Sequence, residues 1–228
     1  MVCLNPNDRP EPFVSTTIPR SPFSRRPAWS IAVIGLPLAI LIGGCLGSPR
    51  VTPDSIKRPA RTAVADFPAS WQPAKPLRNW KSIVLHHTAT EAGSVKSIHA
   101  EHRKRITNGK PWLGIGYHFV IGNGKGMADG AVEATFRWRD QLHGAHAGKQ
   151  AENQHGIGIA LIGHFDKQPP SPAQLASLRR LISHLKTAHA IPASGLIGHG
   201  EIKKTACPGK LFPLAKLKKE FAGGKVVP

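Results

Sequence analysis

Apolar and polar positions divide the chain into three regimes. Residues 1–27 show no apolar period and hold six prolines, a composition that cannot bury enough surface to fold. An uncharged stretch follows from Ala28 to Ser48, with its apolar core at Ile31–Ile42. Residues 46–75 then lack any period of 2 or 3.6 and carry Pro49, Pro53, Pro59, Pro68 and Pro73, which reads as a partly extended tether. From residue 76 the pattern becomes that of a folded domain, extending to residue 222 and leaving 223–228 as a tail.

Within that domain Ile83-Val84-Leu85 is a short β-branched apolar run, predicting a buried strand that ends at His86-His87. Ser94 is placed as an N-cap, with Val95, Ile98, His99, His102 and Ile106 on one helical face. Ile115–Ile121 predicts a second strand, Gly122-Asn123-Gly124 a hairpin turn, and Ala131–Phe136 a third strand. Gly156–Ile162 is apolar throughout, as expected of a central strand covered on both faces. Ser171-Pro172-Ala173-Gln174 is a capping box with proline at N1, followed by the stripe Leu175, Leu178, Leu181, Ile182 and Leu185. Leu196-Ile197 predicts a short last strand. Pro213 opens a last helix with Leu214, Leu217 and Phe221 inward and Lys216, Lys218 and Lys219 outward. This order predicts a single mixed α/β (α+β) domain, a central mixed sheet flanked by helices.

The apolar core of the N-terminal run is 12 residues long, which fits the h-region of a signal peptide; a spanning helix needs about 20. Ile42-Gly43-Gly44-Cys45 at its end resembles the lipobox of bacterial lipoprotein precursors, in which the cysteine is lipidated and becomes the mature N-terminus. Residues 1–45 are therefore expected to be a signal peptide of lipoprotein type, and 46–75 to tether an exported domain to a membrane on the periplasmic side of the envelope. Leu46 is not the aspartate associated with inner-membrane retention, which leans to the outer membrane. An uncleaved N-terminal anchor is the alternative.

Lys and Arg number 31 against 13 Asp and Glu. The first 45 residues hold four basic and two acidic side chains, so the exported part keeps 27 against 11. Such a charge attracts polyanions of every kind. One tyrosine, no aromatic platform, no helix-turn-helix pattern and an export signal argue against nucleic acid as the partner, and favour an anionic wall polymer. The three cysteines are too scattered for a disulfide scaffold.

Twelve histidines include several at predicted strand ends, where α/β sheets place their sites. His86 closes the first strand, His199 the last, and Cys207 follows eight residues later. Two imidazoles and a thiolate suit Zn²⁺, and three protein ligands leave a fourth tetrahedral position open, the arrangement of a catalytic site. Zinc there would acidify water to a pKa of about 7 and polarise a carbonyl, as amide hydrolysis requires.

Leu85-His86-His87-Thr88-Ala89-Thr90, Gly116-Tyr117-His118-Phe119, Gly144-Ala145-His146, Asn153 with Gly156-Ile157-Gly158-Ile159, Gly198-His199 and Thr205-Ala206-Cys207-Pro208-Gly209 occur in that order. Together they resemble the zinc N-acetylmuramoyl-L-alanine amidases related to phage-type lysozyme amidases and the peptidoglycan recognition proteins, over about residues 80–222. The resemblance implies hydrolysis of the amide between N-acetylmuramic acid and L-alanine, with peptidoglycan or muropeptides as substrate. It makes His86, His199 and Cys207 the Zn²⁺ ligands, Tyr117 the residue that helps bind or polarise water or the scissile carbonyl, and His146 a cleft-lining histidine. Thr205 falls where phage-type members carry a catalytic lysine and recognition-type members a threonine. The alternative is a non-catalytic peptidoglycan-binding recognition module. Members of that branch without the cysteine are taken to bind without cutting, so Cys207 favours an enzyme.

His87 rivals His86, but neighbours on a strand point to opposite faces. His102 is expected to be a buried hydrogen-bonding residue, His118 to face the packing, and His143 to be exposed on a loop. Glu133 and Glu201 are the carboxylates open to a general-base role. Nothing in the sequence speaks to oligomeric state.

Overall fold

The structure, a computed structural model, describes residues 68–223. The signal peptide with its lipobox and the tether up to residue 67 lie outside the described residues, as does the tail beyond residue 223. Among the described residues no helix is long and apolar enough to cross a membrane.

Five strands form the central sheet: β1 (Ser82–His87), β4 (Phe119–Ile121), β5 (Val132–Ala134), β6 (Gly156–Leu161) and β7 (Leu196–Gly198). Their order is β5-β4-β6-β1-β7, with β5 antiparallel to β4 and every other pairing parallel. The sheet is thus mixed, and helices cover both faces, as the sequence pattern implied. Period-2 alternation sorts the side chains. Ile83, Leu85, Phe119, Ile121, Ile157, Ile159 and Leu161 enter the main core with Leu178, Leu181, Ile182 and Leu185 of α4 (Pro172–His189) and Leu217 of α6 (Leu214–Ala222). Each such aliphatic side chain contributes about 1.5–3 kcal/mol on burial. Val120 and Ala160 instead pack against Ile98 of α1 (Val95–Arg103), and Val84 against Ile202 of α5 (His199–Ile202).

The caps form as expected. Ser94 and Ser97 make a reciprocal box at the start of α1. Ser171 and Gln174 do the same for α4, and the Gln174 amide also donates to the Ile162 carbonyl at 2.9 Å, fastening the helix start to the sheet.

Five expectations are corrected. Helix α1 ends at Arg103, and Ile106 lies 70% exposed in β2 (Ile106–Thr107), paired with β3 (Lys110–Pro111). Asn108 and Gly109 have φ of 51° and 72°, and Asn-Gly is the strongest short hairpin signal, so the element was readable. The strand expected over 115–121 is confined to Phe119–Ile121, and that expected over 131–136 to Val132–Ala134, because Thr135 caps α2 (Phe136–Arg139). The connection between β4 and β5 is wider than a tight turn, closed by Gly122 N–H to Ala131 O at 2.9 Å. Finally, the described end of the tether belongs to the domain. Trp71 is buried in the main core, its carbonyl accepting from Trp138 Nε1 at 2.7 Å, and Ala74 N–H donates to Arg139 O at 2.8 Å. The remaining helix, α3, covers Gln150–His155.

Candidate metal centre

Strand register brings the distant donors together. Leu85 and Gly198 are paired across the parallel strands β1 and β7, so the next residues, His86 and His199, emerge side by side at the carboxyl ends; their ring centroids are 4.6 Å apart. Past α5 the chain folds back, Gly200 N–H donating to Cys207 O at 2.7 Å. This returns Cys207 beneath β1, where its sulfur accepts the His87 N–H at 3.4 Å. The ligand atoms of His86, His199 and Cys207 all lie within 4.8 Å of one another, and Cys207 Sγ stands 3.8 Å from His86 Nδ1. Ligands of a tetrahedral zinc with bonds of about 2.0–2.3 Å stand about 3.3–3.7 Å apart. The donor set therefore suits Zn²⁺, with separations close to, though wider than, those of a loaded site.

His87 points the other way, as alternation requires: its Nδ1 accepts the Phe165 N–H at 3.2 Å. Tyr117 is buried with its ring 5.1 Å from that of His86 and 5.6 Å from that of His102. The segment leading to Tyr117 is held from three sides. Gly116 N–H donates to His102 Nδ1 at 2.9 Å, Thr135 Oγ1 donates to Tyr117 O at 2.7 Å, and buried Arg137 donates from Nε to Ile115 O at 2.6 Å. Arg137 Nη1 also reaches His143 O at 2.6 Å, so one guanidinium ties the Tyr117 segment to the loop that carries His146. Sequence reasoning missed Arg137, because its four-residue helix shows no period and a lone arginine carries no sign of burial.

His146 is 8% exposed. Its Nδ1 is 3.0 Å from His86 Nε2, its Nε2 is 3.2 Å from Gly156 O, and its loop is fixed by Asn153 Oδ1, which accepts from the N–H groups of His146 and Ala147 at 2.8 and 2.9 Å. The ring lies against Gly158, where a Cβ would come within 2.5 Å of it. Strand β6 thus turns its large residues to the core and sets Gly158 against the His146 ring. Thr205 is half-buried and accepts the Cys207 N–H at 3.3 Å.

The two carboxylates considered as bases stand apart from the cluster. Glu201 pairs with Lys218 at 2.6 Å and accepts from Gly198 N–H at 2.8 Å. Glu133 is exposed and lines a cavity of about 310 Å³ with His99, Ile115, Thr135, Phe136 and Arg139. His102 and His118 are buried and His143 is exposed, as expected.

Burial lowers the pKa of His86 far below its ordinary value, helped by the neighbouring imidazoles of His146 and His199. Burial also lowers His146 to about 3, against the opposing pull of the Gly156 carbonyl. Both rings are neutral at pH 7, and His86 keeps a lone pair for a metal, a condition of ligation.

A mixed sheet with a His/His/Cys cluster at its strand ends is an arrangement that could hold a metal ion. The profile of the N-acetylmuramoyl-L-alanine amidase family matches residues 76–210, and the chain belongs to that family. It is 33% identical to the endolysin of Enterobacteria phage T3 over 143 residues, 59% of this chain and 83% of that protein. It is 32% identical to a peptidoglycan-recognition protein of Drosophila simulans over 146 residues, 60% of this chain and 72% of that protein. Among solved structures, an endolysin N-acetylmuramoyl-L-alanine amidase from Clostridium intestinale URNW is similar at 31% identity and a TM-score of 0.53, covering 68% of this chain and 91% of that one.

Proposed function

We propose that this protein is a zinc-dependent amidase that hydrolyses the bond between the lactyl group of N-acetylmuramic acid and L-alanine of the peptidoglycan stem peptide. The observation that carries this reading is the convergence of His86, His199 and Cys207, with ligand atoms within 4.8 Å, in a chain of the amidase family. When bound, Zn²⁺ supplies Lewis acidity, polarising a carbonyl oxygen and bringing the pKa of water toward about 7.

The chain's own groups do the rest. His86, His199 and Cys207 hold the ion. The Tyr117 hydroxyl donates to the scissile carbonyl oxygen as negative charge develops, and its position is fixed by His102, Thr135 and Arg137. Thr205, whose oxygen accepts the Cys207 N–H, has its O–H available to donate to the substrate; carrying no charge, it assists less than a cation would. Water's oxygen ends on the lactyl carboxylate and both its protons on the alanine nitrogen, which leaves as an ammonium. The cavity lined by Ile115, Glu133, Thr135 and Arg139 offers both signs of charge to a peptide stem. The reading also has the domain exported and membrane-tethered through Cys45, with its surplus of basic residues facing an anionic wall.

Incubation with insoluble cell wall tests it. New free amino groups on alanine without new reducing sugar ends support an amidase. Retention on the wall with neither product supports a binding module instead.

A further inference from the structure

The resemblance to the amidase family places His146 in the cleft, but its surroundings assign it another task. Both ring nitrogens are engaged inside the protein, Nδ1 with His86 and Nε2 with the carbonyl of Gly156. Neither ring nitrogen is left to hydrogen-bond a substrate.

The direction of these bonds follows from chemistry. A carbonyl only accepts, so His146 Nε2 carries a proton, and in the neutral imidazole Nδ1 then offers a lone pair. That lone pair can only be met by a proton on His86 Nε2, which leaves Nδ1 of His86 unprotonated, on the side where Cys207 Sγ stands 3.8 Å away. Resting on the metal-centre reading above, we propose that His146 is a positioning residue: a relay from the Gly156 carbonyl through His146 holds His86 in the tautomer and orientation that present Nδ1 to the metal. Metal-ligating histidines depend on such partners for tautomer and basicity.

The relay is built into the sheet. Gly156 and Gly158 lie on β6, which pairs with β1 in a register that sets Val84 against Gly158 and His86 against Ala160. Removing the Cβ at Gly158 makes room for the His146 ring, and Asn153 pins the backbone that carries it. The same strand therefore supplies the terminal acceptor and the space.

The test compares wild type with His146→Ala and His146→Asn. Asparagine sets an oxygen close to the position of Nδ1 and can still accept from His86. Zn²⁺ affinity is measured by competition with a chelator, and the tautomer of His86 by long-range ¹H–¹⁵N spectra of the metal-free protein. Expected are a proton on Nε2 of His86 in wild type, a loss of about 10–100-fold in Zn²⁺ affinity for His146→Ala, and recovery of most of it in His146→Asn. Unchanged Zn²⁺ affinity in a folded His146→Ala, with turnover lost even at saturating Zn²⁺, would make His146 catalytic and overturn the relay. So would a wild-type His86 protonated on Nδ1, a readout that needs no variant to fold. Wall hydrolysis by the same wild-type sample separates the two readings: Zn²⁺ binding through the relay without cleavage refutes the amidase and leaves the relay standing.

Discussion

The sulfur of Cys207 lies 3.8 Å from Nδ1 of His86 across 121 residues of sequence. No local motif brings them together; the crossover from β1 to β7 and the return past α5 do. Cys207→Ala is expected to release the metal and to lower turnover by more than about a thousandfold, since groups acting as a unit fail together. The side chain is small, so the fold should lose only about 1 kcal/mol. Metal analysis and circular dichroism on one sample check both parts.

Gly158→Ala probes the opposite wall. A Cβ there meets the His146 ring at 2.5 Å, in the middle of a central strand that cannot yield. The expected cost is about 1–3 kcal/mol by urea denaturation, with a weaker metal site because His86 loses its fixed partner. Stability and zinc affinity both equal to wild type would show that the ring does not occupy that slot.

Tyr117→Phe removes one hydroxyl and keeps the packing against His86 and His102. A loss of about 10²–10³ in kcat is expected, the usual effect of deleting one donor to a developing oxyanion, with zinc content unchanged. Steady-state kinetics on a soluble muropeptide measures it. A change in KM alone would reassign the hydroxyl to binding.

Stability should fall in acid. Burial lowers His102 from 6.5 to about 3, with Arg105 and Arg137 adding to the effect. Burial likewise holds His118 well below 6.5. Between the lowered folded value and 6.5 the unfolded chain binds the extra proton, so stability is complete above 6.5 and is lost as pH drops through that window. Each histidine gives a slope of up to about 1.4 kcal/mol per pH unit. Denaturation midpoints of metal-free protein across about pH 4–7 should show it; a flat profile would mean that these rings are not buried neutral.

The central strands and the capped helices were legible in the sequence, and the shortest elements were missed, the Asn108-Gly109 hairpin among them although its turn was readable. Strands β1 and β6 follow from unbroken apolar runs, and helix α4 from a capping box and an apolar stripe long enough to fix its period. Helices α2 and α5 have four residues each, shorter than any periodic window. Trp71 was hidden by the prolines around it, though it reaches the main core. His86, His199 and Cys207 were found through motifs and their likeness to a family, and the structure brings their donor atoms together. The engagement of His146 was invisible, since it depends on an absent side chain at Gly158, on a separate strand.

The most direct measurement is the mass spectrum of an N-acetylmuramoyl-peptide incubated with the full chain, with and without a zinc chelator. Cleavage into intact N-acetylmuramic acid and a peptide with a free alanine amine, abolished by the chelator and restored by added zinc, is the predicted result. Uncut substrate in the presence of zinc, or the same cleavage in fully chelated, metal-free protein, would contradict it.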